Sequence, residues 1–171
     1  VTMIEQERIK KEKDGLDVYE DILRYARTGY HSIPPDDLYR FRWYGLYEQQ
    51  PKNGYFMLRV KVPGGELTSQ QMCTLGEIAE RYAHGFADIT TRQNFQFHWI
   101  TIEDVPDIFE RLHRVGLTTS GACGDITRNV VGCPVAGIDP DEILDGRPYV
   151  QAVTRYFLNN REFSDLPRKY K

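Results

Sequence analysis

An alternation of apolar and polar residues over 56–62 constrains the fold of this chain more than any other feature. Apolar side chains occupy every second position, and Met57, Arg59 and Lys61 lie between them. Successive side chains of a β-strand point to opposite faces, so a period of two predicts a strand with one buried face. Pro63-Gly64-Gly65 ends this strand, and Arg59 and Lys61 are predicted to project from its other face.

A helix, two strands and a second helix are predicted to follow. Thr68 and Gln71 form a capping box, which begins the first helix. A short strand is predicted over 87–90 and a longer one over 94–100. Residues 105–115 carry the i, i+3, i+4, i+7 stripe of the second helix. The residues expected near one face of the first helix are Met72, Leu75, Ala79 and Tyr82.

This order predicts an α+β fold, a ferredoxin-like βαββα half-unit. Both helices are expected to cover one sheet face, which leaves the other face open or poorly covered. The predicted division is an N-terminal arm with an aromatic segment (1–54), the half-domain (55–117) and a C-terminal part (118–171). The third part holds a long loop without periodicity, a helix over 149–158 and the start of a further domain.

The strand over 94–100 is predicted to add polar groups to the uncovered face. If Phe95, Phe97 and Trp99 point to the core, Gln96 and His98 point the other way, beside Arg59. Guanidinium, ammonium, amide and imidazole groups on one face form a plausible bed for an anion. A solvated polar face is the alternative, and by spacing alone it is the more common case.

Composition excludes several classes of protein. The net charge is −3 and the pI about 5.8, which disfavours a nucleic-acid binder. No apolar run approaches the ~18–20 residues of a membrane span, and the charged N-terminal residues do not resemble a secretory signal. Three cysteines without a CxxC spacing argue against a disulfide framework or a zinc site. A reducing, cytoplasmic location is expected.

Four blocks resemble consecutive blocks of the sirohaem-dependent sulfite/nitrite reductases. They occur in the family's order and span 56–171. The aromatic segment FRWYGLY before them is similar to the family's N-terminal arm. The blocks are FMLRVKVPGGELTSQQMCTLGEIAERYA, ADITTRQNFQFHWI, GLTTSGACGDITRNVVGCPVAGID and DLPRKYK.

The resemblance implies an enzyme that reduces sulfite to sulfide with six electrons. It implies sirohaem coupled to a [4Fe-4S] cluster as cofactors and ferredoxin as electron donor. The implied substrate-pocket residues are Arg59, Arg128, Lys169 and Lys171. The residues implied to hold the carboxylates of sirohaem are Arg92, Gln96 and His98, with Thr127 and Asn129 as weaker candidates.

Family members bind the cluster through paired-cysteine motifs in their C-terminal half, and this sequence contains no such motif. We therefore expect no metal ligands in this chain, no cofactor bound to it and no activity from it alone. The missing C-terminal half of the enzyme is the expected partner, and the chain is expected to be a fragment.

Two other functions stay open. Nitrite reduction to ammonia is the near alternative, and Lys171 favours sulfite because the plant-type nitrite reductases tend to have asparagine there. A ferredoxin-like binding module, for example one that binds RNA, is the remoter alternative, but it requires exposed aromatic residues and a basic surface.

Overall fold

The computed structural model describes residues 4–168, in which helices and an antiparallel sheet form an α+β fold. The helices are α1 Glu5–Glu12, α2 Tyr19–Thr28, α3 Pro35–Arg40, α4 Ser69–Tyr82, α5 Val105–Arg114 and α6 Arg147–Phe157. The strands are β1 Leu46–Glu48, β2 Tyr55–Val60, β3 Asp88–Ile89 and β4 Phe95–Thr101. No helix in the part described is long and apolar enough to cross a membrane.

The sheet has the strand order β1-β2-β4-β3, and every neighbouring pair is antiparallel. Strands β2 and β4 pair in the register that sets Arg59 opposite Gln96 and Leu58 opposite Phe97. The elements β2, α4, β3, β4 and α5 form the predicted ferredoxin-like βαββα unit. The predicted fold class is confirmed.

The hydrophobic core lies on one face of this sheet, between the strands and helices α2, α4 and α5. Phe56, Leu58 and Val60 are fully buried there, so the predicted direction of the β2 side chains is correct. The helices contribute apolar side chains from the opposite layer. They include Ile22, Tyr25, Leu75, Ile78, Ile108, Phe109 and Leu112.

A β-bulge in β4 changes the direction of Trp99. The β2–β4 register shifts between Phe56 and Leu58, and Trp99 has a φ of +60°. Phe97 and Ile100 are therefore the buried residues, whereas Trp99 is half-exposed and stacks on His84 at 5.0 Å between ring centroids. The prediction that Trp99 points to the core was wrong, because one extra residue in a strand reverses the alternation.

Helix α4 begins as the sequence predicts, and its expected apolar face packs on the core except at Met72. Thr68 and Gln71 form both hydrogen bonds of the capping box. Leu75, Ile78 and Ala79 are buried, while Met72 is 49% exposed. Met72 belongs to the first turn of the helix and lines an apolar cleft.

The aromatic segment before β2 packs into the structure and supplies the edge strand β1, which the sequence did not predict. Trp43 is fully buried, and its indole Nε1 donates to the carbonyl oxygen of Ser164 at 2.7 Å. Gly45 has a φ of +75°, and a Cβ there would lie 2.4 Å from the carbonyl oxygen of Arg59. Only glycine allows the close approach of β1 to β2 at this point.

Candidate anion-binding site

Arg59 lies at the centre of the sheet face that the core helices leave uncovered. Its Nη2 donates to Gln96 Oε1 at 2.7 Å, across the β2–β4 pair. Its Nη1 donates to the sulfur of Cys123 at 3.2 Å. Its Nε is buried and has no partner among the described residues. Two of the five N–H donors of the guanidinium are thus bonded, and the group has no carboxylate partner among residues 4–168.

A chain of hydrogen bonds extends from Arg59 to His98. Because Gln96 accepts from Arg59 through Oε1, its amide nitrogen faces His98 Nε2 at 3.1 Å. His98 Nδ1 lies 3.2 Å from Gln49 Oε1, which also accepts from the backbone N–H of Trp99. With hydrogen on Nδ1, the ring would donate to Gln49 and accept from Gln96.

Asp88 is also close to this imidazole. One of its carboxylate oxygens lies 3.2 Å from His98 Nε2, the ring nitrogen that also faces Gln96. The imidazole is thus positioned by three side chains.

The loop over 118–132 covers part of this face, so the face is less open than the sequence led us to expect. Asn129 fastens the loop, since its Nδ2 donates to the carbonyl oxygens of Val62 at 2.7 Å and Arg92 at 2.9 Å. Gln93 bonds both the N–H and the carbonyl of Gly132. These bonds bring the turn between β3 and β4 to the loop, although about forty residues separate them in sequence.

Arg128 closes the loop on itself. Its Nη1 donates to the carbonyl oxygen of Gly124 at 2.8 Å and its Nε to that of Ala122 at 3.3 Å. Loop carbonyls are thus its hydrogen-bond partners among residues 4–168. Thr127, beside it, is half-buried and makes no side-chain hydrogen bond within residues 4–168.

Lys61 is the most deeply buried cation of this face. It is 3% exposed, and burial together with the charge of Arg128 lowers the pKa of its ammonium to about 8. Gly121 covers it, because a Cβ at Gly121 would lie 3.0 Å from Nζ. No carboxylate in the described residues forms an ion pair with this ammonium.

Cys123 and Tyr47 lie among the arginines. Burial raises the pKa of the Cys123 thiol, while Arg59, Arg128 and Arg42 act in the opposite direction. Burial likewise raises the pKa of the Tyr47 hydroxyl, and the same three arginines oppose it. The positive field of this face therefore extends from β2 to β1 and the covering loop.

The structure brings most of the predicted site residues to one face. Gln96 is hydrogen-bonded to Arg59 on one side and to His98 on the other. Asn129 joins the loop to the turn that carries Arg92. The Nε of Arg92 and the Oδ1 of Asn129 are buried without partners in the described residues. Lys169 and Lys171 lie outside the described residues.

Three contacts of this face were missed. Gln49, which orients His98, comes from the unpredicted strand region beside β1. The contact of Cys123 with Arg59 has no signal in the sequence. Lys61 was assigned to the correct face by its position two residues from Arg59, but no sequence signal shows that the loop buries it.

A cleft of about 480 Å³ lies beside this face and not within it. Its wall is mainly apolar, and it contains Cys133 and the polar rim residues Glu66 and Arg147 but none of the cations at 59, 61 and 128. The candidate site is thus a partly covered sheet face, separate from the cleft.

Comparison with known proteins identifies the fold that carries this face. The model of the nitrite/sulfite reductase ferredoxin-like half domain matches residues 47–115, and that of the nitrite and sulphite reductase 4Fe-4S domain matches residues 123–171. The chain belongs to the nitrite/sulfite reductase family. The two matched regions meet at the covering loop, so the cationic face of this family member is formed by both.

Individual relatives agree with this assignment. Sulfite reductase [ferredoxin] 1 of Mycolicibacterium paratuberculosis is 44% identical over 183 positions, covering 96% of this chain and 33% of the relative. Ferredoxin–nitrite reductase of Leptolyngbya laminosa is 45% identical over 170 positions, with the same coverage of both chains. The solved structure of the NirA protein of Mycobacterium tuberculosis superposes with a TM-score of 0.91 at 43% identity and covers 97% of this chain. The chain spans about a third of the length of these relatives.

Proposed function

We propose that this chain supplies the N-terminal portion of a ferredoxin-dependent sulfite reductase, an oxidoreductase that converts sulfite to sulfide with six electrons. The observation that carries the proposal is the cationic face, where Arg59, Lys61 and Arg128 converge without a carboxylate partner in the described residues. Buried cations without counter-ions are costly unless a ligand supplies the negative charge. An oxyanion and an anionic cofactor are ligands of that kind.

The face also fits the cofactor of the family. Sirohaem carries eight carboxylates, and the buried, unpartnered Nε atoms of Arg59 and Arg92 are donors that a carboxylate could satisfy. When bound, sirohaem coupled to a [4Fe-4S] cluster supplies electrons to the substrate. The residues we assign to its carboxylates are Arg92, Gln96, His98, Thr127 and Asn129.

We assign the side chains of this chain to orientation, charge and proton supply. Arg59 and Arg128 are proposed to direct N–H donors at the oxyanion, where negative charge grows on each departing oxygen. Lys169 and Lys171, both outside the described residues, are proposed to supply protons, since oxygen leaves as water. Asn129 holds the loop through two carbonyls, which makes it a positioning residue as well.

The rest of the enzyme, with the cluster ligands, is the proposed partner, together with ferredoxin as electron donor. We place the enzyme in the cytoplasm. Nitrite reduction to ammonia remains the second candidate function, because a ferredoxin–nitrite reductase matches this chain at 45% identity.

Substrate choice tests the proposal in the complete enzyme. Lys171→Asn should lower kcat/KM for sulfite more than for nitrite, because sulfite carries more negative charge and loses more when one cation is removed. Arg59→Ala, the matched variant, should lower kcat/KM for both substrates by about a hundredfold or more. Equal loss of both activities in Lys171→Asn would remove the preference for sulfite.

A further inference from the structure

Lys61 has the burial of a core residue and the charge of a surface residue. Its side chain is enclosed between β2 and the loop over 118–132, where its backbone N–H also donates to the carbonyl oxygen of Thr118 at 2.8 Å. Gly121, with a φ of +70°, lets the loop backbone come close to Nζ. The loop and strand thus form an enclosure around an ammonium group.

The groups that face this ammonium are cationic or neutral. Arg128 acts on it from the covering loop, and Arg59 lies two residues earlier in the same extended segment, hence on the same face. No hydrogen bond from Nζ and no carboxylate within 4 Å is found in residues 4–168. An ammonium has three donors, and one enclosed without a protein acceptor is stabilised by a ligand that supplies acceptors.

We propose that Lys61 is a further anion-binding residue of this site, which pairs with an oxygen anion entering between β2 and the loop over 118–132. The inference rests on the proposed function and deepens it. The anion is either a carboxylate of the tetrapyrrole or the substrate oxyanion, since both present the same charged oxygens. The bound anion holds Lys61 in its protonated form, which the free site disfavours.

Binding of two probe anions to the complete enzyme, freed of its cofactors, tests the inference. The probes are sodium sulfite and uroporphyrin, a tetrapyrrole with eight carboxylates and no iron. Dissociation constants are measured at pH 7 for the wild type, Lys61→Met, Lys61→Arg and Lys11→Met. Lys11 is exposed on α1 and provides the same chemical change away from the site.

Lys61→Met should raise the dissociation constant of at least one probe about tenfold, because a charged hydrogen bond is lost. Lys61→Arg should retain more of the affinity, and Lys11→Met should bind as the wild type does. Raising the pH to 9.5 should weaken the wild type more than Lys61→Arg, since a guanidinium stays charged there. Loss of uroporphyrin binding alone identifies the carboxylate as the partner, and loss of sulfite binding alone identifies the oxyanion.

Three results would overturn the inference: wild-type affinity in Lys61→Met, an equal loss in Lys11→Met, or failure of both probes to bind the wild type. Thermal melting of each variant shows that it is folded. The outcome is independent of the substrate test with Lys171→Asn. Dependence of uroporphyrin binding on Lys61 would stand even if the complete enzyme preferred nitrite, and a sulfite preference would stand even if Lys61 bound nothing.

Discussion

Two lysines of this chain are equally buried and have opposite surroundings. Lys10 on α1 is 5% exposed, and Lys61, directly after β2, is 3% exposed. Lys10 Nζ lies 3.0 Å from Glu7, 2.9 Å from Asp165 and 2.9 Å from the carbonyl oxygen of Leu166. Lys61 has Arg128 as its charged neighbour and no acceptor within the described residues.

The pKa values of the two ammonium groups differ accordingly. Burial lowers the pKa of Lys10, but its bonds to Asp165 and Glu7 outweigh that effect, and the net pKa is raised. For Lys61, burial and Arg128 act in the same direction and lower the pKa to about 8. A buried charge such as Lys10, whose counter-charge comes from the chain itself, has a structural role. A buried charge without a counter-charge, such as Lys61, indicates a ligand site.

Replacing each lysine by methionine should change stability in opposite directions. At pH 7 and without a bound anion, Lys61→Met should raise the free energy of unfolding by about 3 kcal/mol, because a strained charge is removed. Lys10→Met should lower it by about 2 kcal/mol, at the lower end for a broken buried pair, because Asp165 and Glu7 are partly exposed. Urea denaturation of the 171-residue chain gives both values.

The wild type and Lys11→Met are the controls for this pair. Lys11→Met should change the free energy of unfolding by less than about 0.5 kcal/mol, as expected for an exposed position. A loss of stability in Lys61→Met similar to that in Lys10→Met would show that the two lysines have the same structural role.

Sequence patterns predicted the strand and helix that lie around these residues better than they predicted the contacts between side chains. The alternation in β2 predicted that Arg59 and Lys61 share a face, and the capping box located the start of α4. Strand β1 has three residues, too few for a period to be visible. The bulge at Trp99 leaves no compositional mark.

The sequence predicted which residues belong to the candidate site, but it did not predict that the loop over 118–132 covers them. Gln96 could be assigned to the same face as Arg59 because the alternation of side chains within each strand is visible in the local sequence. The burial of Lys61 and the contact of Arg59 with Cys123 depend on where the loop over 118–132 folds, and Asn129 and Gln93 determine that through bonds to distant backbone groups. Such long-range bonds have no local sequence signal.

The pH dependence of stability should separate the two lysines further. The folded-state pKa of Lys61 is below its unfolded value of 10.5, so its charge destabilises the folded chain below about pH 8 and this penalty disappears as the pH rises toward 10.5. Lys10 has a raised pKa, so its contribution is constant below 10.5 and is lost above it. Between pH 7 and 9.5 the wild type should gain about 1 to 2 kcal/mol relative to Lys61→Met. If the free energies of unfolding of the wild type and Lys61→Met changed in parallel with pH, the charge of Lys61 would not destabilise the folded chain.

The most direct test is the pKa of each ammonium in the anion-free chain, measured by NMR of ¹³C-labelled lysine with Lys10→Met and Lys61→Met for assignment. The account predicts that Lys61 titrates near pH 8 and that Lys10 remains protonated above 10.5. Addition of the anion that the site binds should move the titration of Lys61 upward and leave that of Lys10 unchanged. A Lys61 that titrates with Lys10 above 10.5 in the absence of any anion would contradict the account.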